Sequence, residues 1–336
     1  MRKRRIVLTI GDPAGVGPQI VVKALSRPEV RKRARFLVLG NRRVLAEAAE
    51  RLQVALPLRV LARDAAPAWE EEPALQEVDR LGAAPLLPGR SGARTGRASL
   101  AYLLHALHLC LENRADAMVT GPVSPAALQQ ARCRYPGHTE LLADLTNAEK
   151  AVLAAVHGPL RVALVSGHTT LAAVPQMVTR GEVFATILIT YRALREGLGL
   201  KRARIGVLCL NPCAGAQAPP GSEEQRHLRP AVEEAVRKGV PCEGPLSVDQ
   251  GFARMRAGAL DAVVAMYHDQ GIGPFQVLAP DAGAELTLGL PVVRTGVLHG
   301  PDFAAASGTA ASDRSLCDAI DLAVRLARAR ALGAAR

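Results

Sequence analysis

Three apolar stretches end in a side chain able to bind a metal ion: Leu164-Val-Ser-Gly-His168, Leu208-Cys-Leu-Asn-Pro-Cys213 and Val264-Ala-Met-Tyr-His268. Imidazole and thiolate both suit zinc, and two histidines plus one cysteine leave a fourth position open for substrate, as catalytic zinc requires. The competing explanation is three unrelated loop residues, with Cys213 an inert small apolar side chain. The loop Tyr-Pro-Gly-His138-Thr139-Glu140 adds His138 and Thr139 as candidates for a polar substrate, although Thr139 could equally N-cap a helix starting near Glu140. Gly11-Asp-Pro-Ala-Gly-Val-Gly-Pro18 follows a first apolar run and precedes a helical one. There, glycines and helix N–H groups attract anions, or the segment is a tight turn and nothing more.

These residues need strands that end at a common edge, and the chain supplies them. Short runs rich in Val, Ile and Leu alternate with amphipathic stretches, the pattern of buried, mostly parallel strands linked by helices, so the class is α/β. Strands are expected over 5–10, 35–39, 117–120, 151–156, 161–165, 204–210, 261–266 and 292–295. Helices are expected over 18–25, 44–52, 99–112, 181–196, 224–238 and 313–330. The stretch 62–98 reads as loops around short strands. At 336 residues the chain has room for about two domains. No Gly, Ser or Pro linker separates them, so they are expected to be intertwined, with the chain crossing between them more than once.

Lys and Arg number 42 against 31 Asp and Glu, a net charge of +11 that favours an anionic partner. Only five Phe, four Tyr and one Trp are present, with no aromatic cluster beside a basic run, which argues against nucleic acid. No apolar run approaches the length of a membrane span. Six dispersed cysteines without a CxxC pair fit a reducing cytoplasm.

Taken in order, the motifs ending at Pro18, Thr-Gly-Pro122, Gly-His-Thr-Glu140, Leu-Asn-Pro212, Met-Tyr-His-Asp-Gln-Gly271 and Leu-Gly-Leu-Pro-Val-Val-Arg-Thr295 make the chain resemble the 4-hydroxythreonine-4-phosphate dehydrogenase family over nearly its whole length. The resemblance implies two α/β/α domains similar to isocitrate and isopropylmalate dehydrogenases, with a cleft between them: 1–125 with 275–336 in one, and 126–274 in the other, carrying metal-site and dimer-interface residues. It also implies a homodimer whose metal site draws on both subunits, and NAD or NADP bound without the usual dinucleotide fingerprint. A divalent metal, commonly zinc, is held in that family by three histidines. His168 and His268 match two of them, and Cys213 stands at the third.

On the substrate side, His138, Thr139 and Arg294 match family residues, whereas Gln276 stands where the family has Lys and Glu285 where it has Asn. Exchanging a cation for an amide and an amide for a carboxylate weakens attraction for a phosphate dianion. Pro125 replaces a Lys and Leu298 an Asp. His299 and Gly300 remain, in a loop that by resemblance lies against the cofactor. The expected function is therefore metal-dependent, NAD(P)-linked oxidation, with decarboxylation, of a small anionic hydroxy acid, 4-phosphohydroxy-L-threonine or a related compound. The alternative is a catalytically impaired member acting as a dimeric ligand-binding or interaction protein.

Overall fold

The computed structural model describes residues 2–62, 65–78, 81–82, 84–135, 137–212 and 223–333. Cys213 therefore lies outside the described residues. In chain order the strands are β1 (Arg5–Thr9), β2 (Arg35–Gly40), β3 (Arg59–Val60), β4 (Ala74–Glu77), β5 (Ala117–Thr120), β6 (Val152–His157), β7 (Leu160–Leu164), β8 (Ile205–Leu208), β9 (Cys242–Leu246), β10 (Ala262–Ala265), β11 (Ala284–Leu288) and β12 (Arg294–Val297). Helices fill most of the intervals, and the class is the α/β one expected.

The chain forms two compact units, residues 1–148 with 290–328 and residues 149–289 with 329–336. The crossings fall at 148/149 and 289/290, later than the expected 125/126 and 274/275, because packing follows the elements. The helix Pro125–Gln130 lies on the helix Ala93–Leu111, so closely that a Cβ on Gly96 would sit 2.0 Å from the Ala127 carbonyl oxygen. The segment 275–289, in turn, contains β11, which pairs antiparallel with β6.

In the first unit six parallel strands run in the order β3-β4-β2-β1-β5-β12. β1 and β5 are buried almost throughout, which is why they read as continuous apolar runs rather than alternating ones. In the second unit the order is β11-β6-β7-β10-β8-β9, antiparallel for β11, β6 and β7, and parallel from β7 to β9. Parallel neighbours end at the same edge. Hence β1, β5 and β12 deliver their exits side by side in one unit, and β7, β10 and β8 do so in the other.

Local chemistry fixes the elements. Asn41 Oδ1 accepts the Val44 N–H at 3.2 Å to start the helix Arg42–Leu52, which ends on Gln53 in the left-handed region at φ 54°. Ser124 Oγ accepts the Ala127 N–H at 3.2 Å ahead of the helix that Pro125 opens. Proline suits that position because the first helical N–H has no intrahelical partner. Among the described residues no helix is long and apolar enough to cross a membrane.

Candidate active site

In the second unit β7 and β10 pair in parallel, Ala163 opposite Val264 and Leu164 opposite Ala265, so their exits leave together. Ser166, beyond β7, donates its hydroxyl to the Met266 carbonyl beyond β10 at 2.7 Å. The exits bring His168 and His268 together with ring centroids 4.8 Å apart and planes tilted by 42°. His268 opens the helix His268–Leu278, and its Nδ1 meets Asp269 Oδ1 at 2.7 Å. A carboxylate only accepts, so Nδ1 is the donor, and in the neutral ring Nε2 keeps its lone pair for a cation, the arrangement carboxylates impose on metal-binding histidines.

The third exit is tied to the same edge. Gln270, buried, accepts the Met266 N–H at 2.7 Å and donates to the Cys209 carbonyl at 2.6 Å, bridging the ends of β10 and β8. Glu224, fully buried, accepts the N–H groups of Leu210 at 3.0 Å and Asn211 at 2.8 Å. Burial pushes its carboxyl up, but the donors from the backbone and the Asn211 amide outweigh that and hold it below the ordinary range. The β8 exit is thus braced up to Asn211, two residues before Cys213. Among the described residues no group of three His, Cys, Asp or Glu side chains converges as a metal site. Two close imidazoles, one oriented by a carboxylate, fit a borderline divalent ion as two of its ligands.

In the first unit the exits of β1, β5 and β12 meet. Gly11, at φ +70°, brings the backbone so near β5 that a Cβ would stand 2.2 Å from the Pro122 carbonyl oxygen. The Gly11 to Pro18 segment holds an anion of its own. Asp12 is fully buried and accepts from the Ala14 N–H at 2.9 Å, the Ser91 hydroxyl at 2.6 Å and the Thr95 hydroxyl at 3.2 Å. Burial raises its carboxyl above the ordinary range despite those donors. These bonds tie the Gly11 to Pro18 segment to Ser91 and Thr95.

Arg294, the first residue of β12, is 1% exposed and is the largest fully buried side chain among the described residues. Its Nη2 donates to Thr120 Oγ1 at 2.7 Å and approaches His138 Nδ1 at 3.1 Å. His138 opens the helix His138–Leu145, whose N-cap is Gly137, so Thr139 lies inside the first turn and is not the cap. Room for the guanidinium comes from Gly296, where a Cβ would stand 2.7 Å from Thr120 Oγ1 and 3.0 Å from Arg294 Nη2.

Beyond β12, His299 Nδ1 bonds the Gly300 carbonyl at 2.9 Å, so Nδ1 donates. His299 Nε2 is buried without a hydrogen-bond partner among the described residues, which suits a ligand donor such as a cofactor hydroxyl or amine. Gln276 is exposed on the helix His268–Leu278, and Glu285 is half-buried on β11 opposite Ala155. Sequence reasoning missed Thr120, Asp269, Gln270 and Glu224. Asp269 and Gln270 stood inside the Met-Tyr-His-Asp-Gln-Gly271 motif, and Thr120 inside Thr-Gly-Pro122. Glu224 carried no sequence signal.

Comparison with known proteins gives these exits a context. Residues 32–323 match the family model described as pyridoxal phosphate biosynthetic protein PdxA. The chain is 44% identical over 335 residues to 4-hydroxythreonine-4-phosphate dehydrogenase of Geobacter metallireducens, with 98% of each covered. It is 39% identical to D-threonate 4-phosphate dehydrogenase of Cupriavidus necator, over 97% of this chain and 98% of that one. The crystal structure of 4-hydroxythreonine-4-phosphate dehydrogenase from Klebsiella pneumoniae superposes with a TM-score of 0.81 at 32% identity, over 96% of this chain and 99% of that one. An α/β chain matched in this way is an oxidoreductase of the dehydrogenase class. It belongs to the pyridoxal phosphate biosynthetic protein PdxA family.

Proposed function

We propose that the protein oxidises a small anionic hydroxy acid, 4-phosphohydroxy-L-threonine or a close relative of it, with NAD or NADP and a divalent metal, and that the keto acid formed then loses carbon dioxide. The observation that carries this is the meeting of His168 and His268 at neighbouring strand exits in a chain of this family. The names of its relatives, dehydrogenases of 4-hydroxythreonine 4-phosphate and of D-threonate 4-phosphate, support a phosphorylated hydroxy acid.

His168 and His268 would hold the metal, with Asp269 orienting His268 and Cys213 as the proposed third ligand. A divalent ion held there would supply Lewis acidity toward the substrate alcohol, and a bound nicotinamide nucleotide would supply the oxidant. The remaining roles belong to this chain's own groups. His138, Thr139 and Arg294 would bind the acid, helped by the cationic guanidinium and by the net charge of +11. Gln276 and Glu285 would be less favourable to a dianion than the family's Lys and Asn, which extends the proposed substrates to non-phosphorylated acids. His299 and Gly300 would meet the cofactor. The reading includes a homodimer that shares the metal site. It also includes a cytoplasmic setting, consistent with the absence of a disulfide among the described residues.

The test is metal analysis of metal-replete protein together with a hydroxy-acid panel followed at the nicotinamide absorbance. We expect a stoichiometric divalent ion and NAD(P) reduction with a panel member, both lost in His268→Ala. Protein that takes up no metal, or that binds metal and turns over no acid with either nucleotide, overturns this reading in favour of the ligand-binding alternative.

A further inference from the structure

A guanidinium has five N–H donors and no acceptor. The two protons of Arg294 Nη2 have two partners, Thr120 Oγ1 at 2.7 Å and His138 Nδ1 at 3.1 Å. Facing a group that only donates, His138 Nδ1 must present its lone pair, so the proton of a neutral ring sits on Nε2. The Thr120 hydroxyl is oriented to match, because it spends its own proton on the Thr295 carbonyl at 3.4 Å and turns lone pairs to Arg294. Arg294 thus donates both ways, to His138 on one side and to the Thr120 hydroxyl on the other, and Thr120 passes its own proton on to the Thr295 carbonyl.

Arg294 is held in place: it is 1% exposed, and it fits against Gly296 so closely that a Cβ there would be 3.0 Å from Nη2. Protonating Nδ1 would break the bond and set two cations against each other. His138 is also the first residue of the helix His138–Leu145, and the positive end of a helix disfavours an imidazolium.

We propose that Arg294 is a positioning residue that acts through His138, fixing the ring as the neutral Nε2–H tautomer. His138 then offers substrate an N–H donor and takes no proton from it. This rests on the proposed placement of His138 at the substrate. Its chemical content is that His138 hydrogen-bonds a substrate oxygen, while the proton of the oxidised alcohol goes to a different acceptor. Arg294 accordingly does more than attract an anion, since it decides which face of the imidazole chemistry the substrate meets.

The test needs no substrate. Full-length, ligand-free protein labelled with ¹⁵N-histidine is studied at neutral pH by long-range ¹H–¹⁵N correlation, the His138 signals being assigned by their loss in His138→Gln. The expected spectrum shows Nδ1 in the unprotonated range and Nε2 in the protonated range, as one tautomer. Arg294→Met keeps the bulk and deletes the donor, and should give exchange-averaged shifts from mixed tautomers or imidazolium. A proton on Nδ1 in the unsubstituted protein overturns the proposal, as does an Arg294→Met spectrum identical to it. If Arg294→Met fails to fold, the unsubstituted spectrum still decides. A hydroxy-acid panel that shows no turnover would remove the substrate placement and leave the tautomer result intact, so the two failures are distinguishable.

Discussion

Replacing Gly271 by alanine tests how the candidate metal site is built. Gly271 lies three residues after His268 in the helix His268–Leu278, and a Cβ there would stand 2.7 Å from Val162 Cγ1, 2.8 Å from Leu164 Cδ2 and 2.9 Å from Ala265 Cβ. Those atoms belong to β7 and β10, the strands whose exits carry His168 and His268. Ordinary carbon contacts begin near 3.5 Å, so the helix must lift by about 0.5–1 Å. Ala265 Cβ cannot rotate away, which puts the overpacking cost in the upper part of its usual range, about 2–3 kcal/mol. Alanine recovers about 1 kcal/mol of helix propensity over glycine. The net expectation is a loss of about 1–2 kcal/mol.

Gly273 is the internal control, because it sits in the same helix and a Cβ added there meets nothing within 4 Å. Gly273→Ala should stabilise by about 0.5–1 kcal/mol. Urea unfolding of both variants, with the slope unchanged, measures the pair, and zinc titration calorimetry should show about tenfold weaker binding for Gly271→Ala alone. If both substitutions stabilise, the helix is not pressed against these strands and the account of how His268 is placed is wrong.

Three other perturbations bear on particular residues. Burial raises the Asp12 carboxyl above its ordinary 3.8. Between that value and the raised one the folded chain binds more protons than the unfolded chain, so this group's contribution to stability falls as pH rises. Relative to Asp12→Asn, the unsubstituted protein should therefore lose stability from about pH 4 toward neutrality, and a gain across that window in urea unfolding would refute the assignment. The thiols of Cys242 and Cys317, each pushed up to about 12 mainly by burial, should resist a thiol-specific reagent at pH 8 until denaturant is added. Rapid labelling of the native protein at either position would contradict that. Gln276→Lys combined with Glu285→Asn should tighten binding of phosphorylated hydroxythreonine about tenfold by calorimetry, since it adds one cation and removes one anion. No gain would remove those residues from the phosphate pocket.

Much of the framework is legible in local pattern. The apolar runs predicted over 5–10, 35–39 and 117–120 are the strands Arg5–Thr9, Arg35–Gly40 and Ala117–Thr120, because strands buried on both faces advertise themselves by composition. Elements without such a signature were missed. β9 reads Cys-Glu-Gly-Pro-Leu and looks like a turn, and the helix His268–Leu278 contains Gly271, Gly273 and Pro274, so propensity argues against it. That helix is held by packing on β7 and β10, which no local window reports.

The chain's own order of residues determined which side chains stand at the strand exits, since an exit is the end of an apolar run. Which exits become neighbours was decided only by the order of strands in space. β7 and β10 are separated by about a hundred positions and pair directly, which joins His168 to His268, and β5 and β12 do the same for Thr120 and Arg294. The protonation geometry at His138 exists only after that pairing, because a hydrogen-bond direction is a property of two groups 156 residues apart rather than of either one.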